Sequence, residues 1–124
     1  MKEVRTEKAP AAVGPYSQAI VSGNLVFASG QLGLNDQGVL EGDVATQTEN
    51  AIRHLSEVLV AAGSGLDYVV KTTCFLSNIK DFAAFNETYA KYFTSKPARS
   101  LIEAAALPKG SLVEIEAIAE INKA

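Results

Sequence analysis

Arg99 and Glu114 offer a guanidinium and a carboxylate on neighbouring predicted strands. Residues 98 to 104 read as a strand, so Arg99, Leu101 and Glu103 project from one face, about 7 Å per two-residue step. Pro108-Lys109-Gly110 makes a turn, and the strand that returns after it, from Leu112 to Ile121, carries Glu114 at the start of its polar face. A guanidinium opposite a carboxylate could grip a substrate carboxylate with two parallel hydrogen bonds while the glutamate holds or deprotonates water. The same residues also describe an ordinary solvated cross-strand ion pair, and spacing alone does not choose between the two.

Other chemistries have fewer residues to draw on. A single histidine, His54, and a single cysteine, Cys74, leave no zinc cluster, internal disulfide or Ser/His/Asp arrangement. His54 reads as a boundary or surface residue of a helix and Cys74 as a small core residue. The net charge is −3 and the basic residues are scattered, so nucleic acid is a poor partner. Asn35-Asp36-Gln37-Gly38 lacks the alternating acids and closing glutamate of a calcium loop and reads as a plain turn. The charged start has no apolar signal region and no run is long enough for a membrane span, which predicts a cytoplasmic protein.

The elements that must position Arg99 and Glu114 follow from periodicity. In a chain of 124 residues, 48% hydrophobic, no repeat or linker interrupts the pattern, and residues 1–124 read as one domain. Ala19-Ile20-Val21 and Leu25-Val26-Phe27-Ala28 flank Ser22-Gly23-Asn24 and predict a β-hairpin. From Val44 to Ala62 apolar residues recur at three and four, with Asp43 as N-cap and Gly63 beyond the end: an amphipathic helix. Leu66 to Ser77 reads as a largely buried strand. Ser77 or Asn78 caps a second helix whose Phe82, Phe85, Asn86, Tyr89, Tyr92 and Phe93 share a broad face. The order hairpin, helix, strand, helix, hairpin predicts an α+β layer, a mixed sheet with two helices on one face and its other face left to be covered.

Several blocks carry a resemblance. Gly14-Pro15-Tyr16-Ser17-Gln18-Ala19, Ser29-Gly30-Gln31, Val70-Lys71-Thr72-Thr73, Phe82-Ala83-Ala84-Phe85-Asn86, Pro97-Ala98-Arg99-Ser100 and Leu107-Pro108-Lys109-Gly110 through Glu114-Ile115-Glu116-Ala117-Ile118-Ala119 occur in that order nearly end to end. Together they resemble the RidA (YjgF) family of enamine/imine deaminases. The resemblance implies a chorismate-mutase-like fold and a homotrimer, with the sheets forming a barrel-like core, the helices outside, and sites in the clefts between subunits. It also implies cofactor-independent hydrolysis of 2-imino acids, formed from 2-aminoacrylate and 2-aminocrotonate, to pyruvate or 2-oxobutanoate and ammonia.

Carried over residue by residue, the resemblance makes Arg99 the substrate-carboxylate anchor and places Glu114 near the attacking water. Tyr16, Ser29, Gly30 and Asn86 line the cleft. Leu101 stands where many members carry cysteine, which removes a thiol but keeps the backbone groups. Thr94-Ser95-Lys96 is shorter than the corresponding loop of some relatives. The alternative reading from a different class is a trimer that binds small carboxylates or regulates without turnover.

Overall fold

A computed structural model describes residues 1–122. The hairpin forms as the turn residues predict: β2 (Ala19–Ser22) and β3 (Leu25–Leu32) pair antiparallel around Gly23, whose φ is +62°. A short strand β1 (Lys2–Val4), which the sequence pattern does not announce, adds to the outside of β2.

The helix α1 (Val44–Ala61) begins where expected, with the Asp43 carboxylate accepting from Thr46 N–H at 3.0 Å. This bond favours the ionised form and holds the Asp43 carboxyl below its ordinary value. The helix ends in Gly63 at φ +85°, with Ser64 N–H donating to Leu59 C=O and Gly63 N–H to Val60 C=O, a left-handed close that a side chain would resist. Ile52, Leu55, Val58 and Leu59 are fully buried. His54 departs from expectation. It is buried on the same stripe, three residues after Ala51, and its Nε2 lies 2.8 Å from Leu34 C=O. The carbonyl draws the ring inward because it satisfies one nitrogen away from water.

The strand β4 (Val69–Leu76) is followed by α2 (Phe82–Tyr92) and β5 (Ala98–Glu103). Asn78 caps the short 3₁₀ turn before α2, accepting from Lys80 N–H, and α2 itself has no side-chain cap. Phe85, Tyr89 and Phe93 of the predicted aromatic face are buried, while Phe82 and Tyr92 remain exposed.

The largest correction concerns the closing pair of strands. The single six-stranded sheet runs β1-β2-β3-β6-β4-β5, so β6 (Val113–Glu120) lies between β3 and β4 and makes no hairpin with β5. Instead β5 pairs parallel with β4, and β4-α2-β5 is a crossover unit. Burial explains the exchange. Val113, Ile115, Ala117 and Ala119 of β6 are all buried beneath the helices, which suits a central strand; β5 has no buried residue and takes the edge.

The α+β layer is otherwise as predicted, with both helices on one face of the sheet. The other face carries Phe27, Phe75, Ile102 and Ile118 uncovered or half-covered. No helix among the described residues is long and apolar enough to cross a membrane.

Candidate functional site

The β5 edge holds the first group. Arg99 sits opposite Thr72 of β4 and projects over the helix side of the sheet, where its Nη1 donates to Asn86 Oδ1 of α2 at 2.7 Å. Its guanidinium carbon lies 4.9 Å from the ring centre of Tyr89 and 5.9 Å from that of Phe82. Tyr89 is fixed in turn by a 2.7 Å hydrogen bond with the Thr72 hydroxyl and by stacking on Phe93 at 4.3 Å. Burial raises the Tyr89 phenol above its ordinary pKa, so the ring stays neutral and presents its π face to the cation.

Arg99 makes no ion pair among the described residues, where the pairs formed are Arg5–Glu3 and Arg53–Asp36. Glu103, its companion on the same strand face, accepts from Ile79 N–H instead. The guanidinium is therefore oriented by a neutral amide and two aromatic rings, with donors left over for an anion. Leu101 lies on the same face, opposite Cys74, and packs against the core. Burial pushes the Cys74 thiol up to about 11, which leaves it protonated and unreactive.

The second group lies on the other face of the sheet. Tyr16, Ser29, Gly30 and Glu114 line one open cleft of about 820 Å³ with Phe27 and Glu116. Its floor is a β-bulge. The β3–β6 register skips between Ala28↔Ala117 and Gln31↔Ile115, so Ser29 and Gly30 together oppose Glu116. A Cβ on Gly30 would run into the Glu114 carboxylate, so that carboxylate occupies the space a side chain would need.

Ser29 Oγ donates to Ser17 C=O at 2.6 Å and Ser29 N–H to Gln18 C=O at 2.9 Å, which ties the bulge to the irregular segment bearing Tyr16. The Ser29 hydroxyl proton is thereby committed to a backbone carbonyl. Burial raises the Glu114 carboxyl above the ordinary glutamate range, and repulsion from Glu116 adds to the shift. Such a carboxylate is a stronger base than a solvated one.

The structure brings Arg99 together with Asn86 and Leu101, and Glu114 together with Tyr16, Ser29 and Gly30. It does not bring the two groups together. The expectation that Arg99 and Glu114 face each other fails within one chain. Following the register from Arg99 through Thr72 to Ala117 leaves Glu114 roughly 10 Å further along and about 10 Å across the sheet, on the opposite face.

Three contributors escaped sequence reasoning. Glu116 shares the cleft, as its alternate position to Glu114 on a strand should have signalled. Tyr89 stacks on the guanidinium, where the helical pattern marks it only as one residue of a broad aromatic face. Gln18, buried, holds the segment leading to Tyr16: its Oε1 accepts from Thr6 N–H at 2.7 Å, and its Nε2 donates to Thr6 C=O at 3.1 Å and Pro10 C=O at 2.9 Å.

The family model described as Endoribonuclease L-PSP matches residues 6–121. The chain belongs to this family, which includes the YjgF, RidA and RutC proteins. The human L-PSP family protein named 2-iminobutanoate/2-iminopropanoate deaminase is 45% identical, covering 94% of this chain and 87% of its own. A Lactococcus lactis protein named as a regulator, AldR, is 49% identical over 98% of this chain and 99% of its own. Among solved L-PSP family structures, Escherichia coli TdcF with bound serine superposes with a TM-score of 0.93 at 37% identity, covering 98% of this chain and 100% of its own. The resemblance read from the conserved-order blocks is thus confirmed at the level of family and fold.

Proposed function

We propose that this protein hydrolyses reactive 2-imino acids to 2-oxo acids and ammonia, without a cofactor, in clefts completed between the subunits of a homotrimer. The observation that carries the reading is the division of the site: an unpaired, preoriented Arg99 on one sheet face and a half-buried Glu114 of raised pKa on the other. Each is half of what the reaction needs, and a second copy of the chain, seated on the uncovered sheet face, supplies the missing half. The names of the mammalian relatives support the same chemistry.

In this reading Arg99 binds the substrate carboxylate, with Asn86 and Tyr89 holding the guanidinium still. Glu114 accepts a proton from water as its oxygen bonds to the imine carbon and the C=N π pair moves to nitrogen. Glu114 returns that proton to the nitrogen, giving the tetrahedral carbinolamine; as the C–N bond breaks, the hydroxyl O–H pair forms the C=O bond and the hydroxyl proton passes through Glu114 to the nitrogen, which leaves as ammonia and frees the 2-oxo acid. An imine conjugated to a carboxylate is already electrophilic, so orientation and a positioned water suffice.

A regulatory carboxylate-binding protein is the second reading, favoured by the AldR relative. The family model's description as an endoribonuclease finds less support here, because basic residues are scattered over a chain of net charge −3 and His54 is buried on a carbonyl.

The test is oxo-acid release from 2-iminobutanoate generated by a dehydratase. The parent accelerates release, and Arg99→Ala slows it by about a hundredfold to a thousandfold. Co-expressing Arg99→Ala with Glu114→Gln restores activity at about a quarter of the sites, because random assembly pairs an intact Arg99 with a neighbour's intact Glu114 that often. No recovery on co-expression rules out the shared cleft. A parent that binds 2-oxobutanoate without accelerating hydrolysis is the regulator instead.

A further inference from the structure

The Arg99 half of the site has a neighbour that substrate anchoring does not use. A cleft of about 590 Å³ is lined by Tyr89, Phe93, Thr94, Lys96, Pro97 and Arg99, and its charged lining residues among those described are both cations. Lys96 has φ +55°, an uncommon backbone for a long side chain, held by its N–H donating to Phe93 C=O at 3.2 Å. The only other non-glycine residue with positive φ among those described is Lys109, which lines the Glu114 cleft. A left-handed backbone is normally filled by glycine or asparagine; here it falls on a lysine lining each of the two clefts.

We propose that Lys96 is a specificity-determining residue that binds a second anionic group, so that imino acids bearing a side-chain carboxylate are the preferred substrates. This rests on the deaminase reading of the same site. Asn86 takes one Arg99 donor, and a single carboxylate is enough to engage the remaining edge of the guanidinium. A monocarboxylate therefore leaves the Lys96 ammonium unmatched in a cleft with no acidic lining residue among those described, while a dicarboxylate balances both cations.

The test compares 2-oxoglutarate with 2-oxobutanoate in calorimetric binding, and 2-iminoglutarate with 2-iminobutanoate, generated by an amino-acid oxidase, in turnover. Lys96→Asn removes the charge while tolerating the left-handed backbone, and Lys96→Arg keeps the charge. The parent binds 2-oxoglutarate about fivefold more tightly at low salt, as expected for a partly exposed ion pair. Lys96→Asn abolishes that preference and Lys96→Arg retains it, with the ratio of kcat/KM values following the same pattern. Equal binding of both acids by the parent, or an equal loss of both in Lys96→Asn, overturns the assignment. If no imine is turned over but the Lys96-dependent binding preference persists, the deaminase reading and the substrate preference fall, and Lys96 stands only as the residue that binds a second anionic group.

Discussion

The two halves of the site are built in opposite ways. Around Arg99, regular elements do the positioning: a strand edge, a helix, an amide and two rings fix one guanidinium. Around Glu114 the elements are irregular: a bulge, a glycine that yields its side-chain volume, and a segment tied down by Ser29 and Gln18. The anchor needs a fixed charge, which packing supplies without loss of hydration at the exposed edge. In the proposed reaction the base needs a shifted pKa; burial in the cleft beside Gly30 raises the Glu114 carboxyl, and Glu116, two residues along the same strand, adds the like charge.

The largest test of this contrast is Glu114→Gln, which keeps the shape and removes the base. We expect kcat to fall by about a hundredfold or more. In the parent, activity falls on the acid side as Glu114 takes up a proton, at a pH above the ordinary glutamate range because its carboxyl is raised. The variant lacks that limb. Stability moves oppositely. A raised folded pKa means that the unfolded chain binds fewer protons between the two values, so stability declines as pH rises from the ordinary glutamate pKa through the raised one. Denaturant midpoints taken across this window should decline in the parent and lose that component in Glu114→Gln. An unchanged acid limb in the variant assigns the base elsewhere.

Gly30→Ala probes the bulge directly. The added Cβ would lie where the Glu114 carboxylate now sits, so the carboxylate must swing away. Because the displaced group is the far end of a flexible side chain, the fold survives with a melting temperature close to the parent's. Displacing a reacting group by about 1 Å costs around a hundredfold in rate. Parent-like kcat/KM in Gly30→Ala would mean that Glu114 has no fixed working position.

The same contrast accounts for what the sequence discloses. Regular elements are legible because their signals are local: α1 from its period, Asp43 and Gly63, and the β2–β3 hairpin from Ser22-Gly23-Asn24. Arg99, Asn86 and Leu101 belong to such elements, and the strand and helix that carry them lie where their local patterns place them. The insertion of β6 between β3 and β4 is settled by long-range burial, so the supposed β5–β6 hairpin misplaced Glu114 relative to Arg99. One signal pointed the right way: strand, helix, strand is the order of a parallel crossover, and reading β4-α2-β5 as one unit sends β6 elsewhere. The burial of His54 depends on a loop carbonyl at Leu34 that no periodicity marks. Three-residue β1 is too short to carry a pattern.

The smallest expected effect belongs to Asn86→Ala, which separates holding the anchor from being the anchor. Asn86 Oδ1 accepts from Arg99 at 2.7 Å, while the faces of Tyr89 and Phe82 still flank the guanidinium after truncation. Losing one hydrogen bond to a charged group costs about 1.5–3 kcal/mol when the partner is left unsatisfied. Arg99 is only half-buried, so water replaces much of that bond. We therefore expect about a tenfold loss in kcat/KM, carried mainly by KM because the carboxylate grip loosens in ground state and transition state alike. A loss as deep as that of Arg99→Ala would show that the rings hold nothing, and that the amide alone makes this half of the site the rigid one.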